Sequence, residues 1–91
     1  MRVEPVEIYS DASNHAVMRH PGRKFPGSLV QGDTLWTLVR QAEGIRMNLR
    51  EGDRDEALED LDDLIEKLRA RVEHYTNVLS EHGITLPFDP R

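Results

Sequence analysis

Cysteine is absent from this chain of 91 residues, so neither a disulfide nor a thiolate-held metal can reinforce the fold. That absence also fits a reducing compartment. No apolar run approaches the ~20 residues that a membrane span requires. The opening Met1-Arg2-Val3-Glu4-Pro5 lacks the apolar stretch of a signal peptide. These absences predict a cytoplasmic protein with no membrane partner. Net positive charge is lacking as well: the formal charge is −5, which argues against nonspecific nucleic-acid binding, because phosphate contacts need clustered Lys and Arg. Neither the Walker pattern nor the dinucleotide glycine pattern occurs. His15, His20, His74 and His82 include no pair at i, i+4 spacing and none beside a carboxylate at metal-ligand spacing, so no metal is expected. No spacing brings a base to a serine or threonine nucleophile. The expectation is a non-enzymatic protein without a cofactor.

The length predicts one domain, 1–91, with a thin core that self-association could supplement. The fold class predicted is α+β, with a three-stranded antiparallel meander followed by a two-helix antiparallel hairpin. The meander occupies 1–32. Val6, Ile8 and Tyr9 suit a strand over 3–9, the turn formers from Ser10 to Asn14 end it, and Ala16 to Arg19 form a second strand. Pro21-Gly22 and Phe25-Pro26-Gly27 break the chain, and Ser28 to Gln31 suit a third strand.

The first helix is predicted over 33–51, with Asp33 as N-cap and Leu35, Leu38, Ala42, Ile45 and Leu49 on one stripe. Trp36 at its start is read as core. Gly52 ends the helix. Asp53 and Glu56 form an acidic capping box for a second helix over 53–83, followed by a tail over 84–91. Leu58, Leu61, Ile65, Leu68, Val72, Tyr75 and Leu79 repeat at 3-4-3-4-3-4 spacing, the pattern of a coiled-coil seam. Gly83 stops the helix, with Ile84 placed to touch Leu79 in a Schellman motif. At ~1.5 Å per residue the second helix overhangs the first by about three turns. Val72, Tyr75, Val78 and Leu79 then need cover from the sheet, the tail or another copy. A homodimer or higher homo-oligomer through the second helix is the expectation.

Charge is unevenly placed. From Ala12 to Gly32 there is no acid, only Arg19, Arg23 and Lys24 with His15 and His20. From Asp53 to Glu66 there are eight acids and one base. The His20–Gln31 loop therefore suits an anionic, nucleotide-like small ligand. Arg19, Arg23 and Lys24 would neutralise charge and His20 would stand beside them. Phe25 would stack on a base, while Gln31 and Asn14 would read polar edges. The plainer reading is a rigid hairpin with its cations in water and Phe25 in the core. The acids Glu56, Glu59, Asp60 and Asp63 suit a solvated helix face, with Asp63 pairing to Lys67. Alternatively they dock a basic partner protein, as in an immunity or antitoxin module.

The stretch Ser10-Asp11, Asn14, Ala16-Val17, Arg19, Pro21-Gly22-Arg23, Phe25-Pro26-Gly27 and Gln31-Gly32-Asp33-Thr34-Leu35, with the closing Glu81-His82-Gly83-Ile84 and Leu86-Pro87, resembles a family of small bacterial proteins known only as a domain of unknown function. That resemblance implies a small stand-alone protein and carries no activity. Pro26-Gly27 and Gln31 to Leu35, continuing to Ala42-Glu43 and Ile45, also resemble the N-terminal domain of HicB-type antitoxins. That implies a meander running into a helix. Here a long second helix stands where those proteins have a further strand.

Overall fold

The computed structural model describes residues 1–90 and gives three strands, β1 (Glu7–Ser10), β2 (Val17–Arg19) and β3 (Gly27–Ser28), then two helices, α1 (Gly32–Arg50) and α2 (Arg54–Glu81). The sheet is antiparallel in the order β1-β2-β3, and the two helices pack on each other, so the α+β class predicted from periodicity holds. The chain divides into two compact units, 1–30 with 71–91 and 31–70.

In the first unit the strands are shorter than the sequence pattern suggested. β1 starts at Glu7 instead of Val3, because Pro5 has no amide to donate and Val3 stands almost fully in solvent. Ile8 pairs with Met18 and Ser10 with Val17, so Tyr9 is the extra residue of a bulge. The link to β3 starts in a tight turn: the Arg23 amide donates to the His20 carbonyl at 3.1 Å, with Pro21 next and Gly22 at φ 80°. Proline first and a left-handed glycine second is the type II arrangement, which closes the hairpin without strain. β3 is only Gly27–Ser28, although the Leu29 amide still bonds the Ala16 carbonyl at 2.9 Å. Beyond it the chain turns into α1 and the expected run to Gln31 is lost.

Val17, pointing inward from β2, meets Tyr75, Val78 and Leu79 of α2, and Tyr9, Ile84 and Leu86 pack round them. The cover expected for the overhanging end of α2 comes from the sheet and the tail in the case of Tyr75, Val78 and Leu79. Val72 stays half exposed. The Tyr75 hydroxyl donates to the Pro26 carbonyl at 2.5 Å, and its ring stacks on Phe88 at 6.3 Å. α2 ends in the predicted Schellman motif: Gly83 has φ 66°, its amide bonds the Ser80 carbonyl, and the Ile84 amide bonds Leu79 at 2.9 Å.

The second unit is the hairpin of α1 with the first part of α2. α1 begins one residue early. Gln31 is the N-cap and offers no side-chain bond, so Asp33 is not the cap. The reason is that Leu35 already donates to the Gln31 carbonyl at 2.9 Å, which draws Gly32 into the first turn. Asp33 still serves the positive helix end from within that turn, its Oδ1 accepting the Thr34 amide at 2.8 Å. Trp36 is not core: it is 61% exposed, with Arg40 beside its ring at 5.9 Å.

The connection is as tight as its sequence implied. Gly52 at φ 79° ends α1, and the Asp53 amide bonds the Asn48 carbonyl at 2.8 Å. The Asp53 carboxylate then accepts the Glu56 amide at 3.2 Å and caps α2. Because that Asp53 amide already belongs to α1, only half of the predicted capping box forms. Across the hairpin, Gln41 Nε2 donates to the Asp60 carbonyl at 3.2 Å, Asn48 Nδ2 to the Asp60 carboxylate at 3.2 Å, and Lys67 Nζ to Gln41 Oε1 at 3.0 Å. Lys67 is thus held by Gln41 and not by Asp63 as expected. Only Ile45 and Ala57 are buried in this unit. Among the described residues no helix is long and apolar enough to cross a membrane.

Candidate functional site

The type II turn and the Phe25-Pro26-Gly27 break shape an open cleft of about 400 Å³ beside the sheet. Val6, Met18 and Leu29 form an apolar wall, and His20, Arg23 and Phe25 stand round it with the backbone of Gly27 and Ser28. A volume of this size lies near the lower end of the range for small-ligand sites, ~300–1,000 Å³. Arg23 is exposed and Phe25 half-buried, so a cationic fork and an aromatic ring line the same space. Lys24 places its ammonium 5.3 Å from the Phe25 ring centroid and so covers one face of that ring. The His20 ring is held by Nδ1 against the Pro21 carbonyl at 3.0 Å.

The other residues expected at this site lie elsewhere. Arg19 is drawn across to β1, where its Nε donates to Glu7 at 2.9 Å and its Nη2 bonds the same oxygen. The register that pairs Glu7 with Arg19 makes this contact automatic. Tyr9 hydroxyl adds a bond to Glu7 at 2.7 Å; that bond first, and Arg19 second, hold the Glu7 carboxyl below its usual range. Asn14 sits exposed in the β1–β2 turn and does not line the cleft. Gln31 is the exposed N-cap of α1, in the other unit.

The acidic set divides too. Glu56 and Glu59 are exposed, but Asp60 is half-buried and accepts from Asn48. Asp63 edges a shallow depression with Glu66, Lys67 and Ala70. Repulsion from Asp60 first, then Glu59, raises the Glu56 carboxyl above its usual range.

One grouping had no sequence signal, because its members lie far apart in the chain. Ser10 Oγ is 2.9 Å from His74 Nε2, and the His15 and His74 rings meet edge to face at 5.8 Å. Ser10 Oγ also accepts the Ala12 amide at 3.2 Å, which leaves its proton free for a deprotonated Nε2. A hydroxyl and an imidazole therefore stand within hydrogen-bond reach of each other. Among the described residues no group of three metal-ligating side chains is assembled. What the contact does demonstrably is tie β1 to α2.

A family model described as a family of unknown function, DUF6959, matches residues 1–88. The chain belongs to that family. The match covers nearly the whole length, in line with the expected family of unknown function, and it brings no activity with it. No curated protein and no solved structure matches the chain. Any functional reading of this DUF6959 member therefore stands on its side chains alone.

Proposed function

We propose that the chain is a non-enzymatic binding protein whose cleft takes a planar, anionic, nucleotide-like small molecule. The observation that carries this is the convergence of Arg23, His20 and Phe25 on one apolar-walled cleft of about 400 Å³. An arginine fork pairs with phosphate or carboxylate oxygens in a bidentate way, and a half-buried ring supports a flat body at little entropic cost. Lys24 over that ring adds a second cation, which would shift from the aromatic face to the ligand. Arg19, bound to Glu7, contributes rigidity to the strand pair behind the cleft and not charge to the ligand.

Thermal unfolding in the presence of adenosine and guanosine monophosphates and their cyclic forms tests this. Ligand at ten times its Kd stabilises by about 1.4 kcal/mol, which raises Tm by roughly 5–10 °C in a domain of this size. Arg23→Ala and Phe25→Ala should each weaken binding by about tenfold or more. No shift at millimolar concentrations of these nucleotides would overturn the reading.

A second reading, a module that docks a basic protein, is supported by the crowding that raises the Glu56 carboxyl. A cationic partner would relieve that repulsion. Here Glu59→Lys with Asp63→Lys is the informative variant, since Asp60 is engaged by Asn48. Capture of a basic protein from the source cells at physiological salt should be lost in that variant, and undiminished capture would remove the reading.

A further inference from the structure

The helical hairpin leaves an apolar face that its own unit does not cover. Gln41, Asn48, Asp60 and Lys67 close one edge of the hairpin with polar bonds. Leu38 and Leu64 are half-buried, and Ile45 and Ala57 are buried between the helices. Beyond them Leu35, Val39 and Leu49 of α1 remain 42–57% exposed, and Leu58, Leu61, Ile65 and Leu68 of α2 remain 37–47% exposed. At about 100° per residue each of these stripes is displaced in the same screw sense from the facing seam. Because the helices are antiparallel, equal displacement brings both stripes to the same side.

The margins of the face carry opposite charge. On α1 Arg46 stands within the outer half of the stripe, between Leu35 and Val39, and Arg50 at its edge beside Glu43; on α2 the outer margin holds Asp55 and Asp62 against Arg69. Two hairpins can meet face to face about a two-fold axis in two ways. With the axis across the helices, α1 lies on α1 and arginines oppose arginines. With the axis along the helices, α1 of each copy lies over α2 of the other and every basic margin meets an acidic one. The surface is self-complementary only in the second arrangement. The 3-4 spacing from Leu58 to Val72 is likewise that of a helix seam meant for another helix.

We infer that this face binds a second copy of the chain, making a four-helix arrangement in which α1 stacks antiparallel on α2 of the other copy. It is independent of the cleft ligand. Sedimentation equilibrium of the full chain at tens of micromolar should give twice the 10.5 kDa chain mass. Leu61→Glu with Ile65→Glu should give the single mass with helical circular dichroism retained, because both positions are exposed. Arg46→Glu with Arg50→Glu should weaken association by about tenfold or more, as should Asp55→Arg with Asp62→Arg; all four together in one chain should restore it. A wild-type monomer, a dimer that survives the two glutamates, or a fourfold variant no tighter than the twofold ones would each overturn the inference. Binding of a different protein to this face with the chain monomeric on its own would do the same.

Discussion

Leu79→Ala is expected to cost about 2–5 kcal/mol, the range for truncating a buried leucine that leaves a cavity. Leu79 is fully buried, with Val17, Tyr75 and Val78 around it. This chain has few other buried side chains to absorb the loss, and a domain of its length has a total stability on the order of 5–10 kcal/mol. Equilibrium urea unfolding followed by circular dichroism should therefore show a large drop in midpoint. Leu68→Ala, on the exposed stripe of the same helix, should shift the midpoint far less for the isolated chain at low concentration. Equal effects at the two positions would contradict the placement of the core.

Tyr75→Phe carries the second large effect. It removes the hydroxyl that satisfies the Pro26 carbonyl and leaves a buried acceptor without its donor, a loss of about 1–3 kcal/mol. The same residue gives a pH signature. Burial raises the Tyr75 phenol above its ordinary 10.0. The folded state thus holds that proton more tightly than the unfolded state. Its contribution is fully present below pH 10 and is lost as pH rises through the folded-state value. Wild-type stability should fall steeply above pH 10, and the Phe variant should fall less. Some slope persists, because a bond to Glu7 raises the half-buried Tyr9 as well. Parallel alkaline profiles for wild type and variant would show that the phenol is not buried as described.

The helices were legible in the sequence because periodicity, Gly52, Asp53 and Gly83 all act locally. Each glycine adopts the left-handed conformation its position called for. The seam from Leu58 to Val72 was legible as an apolar stripe, but spacing says only that a face is apolar and not what covers it. The hairpin closes instead through Gln41, Asn48 and Asp60, polar residues with no periodic signal. Trp36 was misplaced for the same reason: an aromatic residue at the start of α1 reads as core, but nothing local says what would cover it, and it stands exposed beside Arg40.

The loop between Pro21 and Gly27 announced itself through its breakers, and three of its chemically useful side chains do share a cleft. Arg19 was lost to it through strand register, which depends on a bulge at Tyr9 that no local residue type requires. Asn14 and Gln31 were assigned by chemistry without geometry, and neither lines the cleft. The contact of Ser10 with His74 joins residues 64 positions apart and could emerge only from the packed fold.

The cleft reading is tested most directly by an amide proton–nitrogen correlation spectrum of the labelled chain, titrated with adenosine monophosphate. Saturable shifts confined to the amides around His20, Arg23, Phe25, Gly27 and Leu29 are the predicted result. A spectrum that stays unchanged to millimolar ligand, or shifts that cluster on α2 instead, would contradict it.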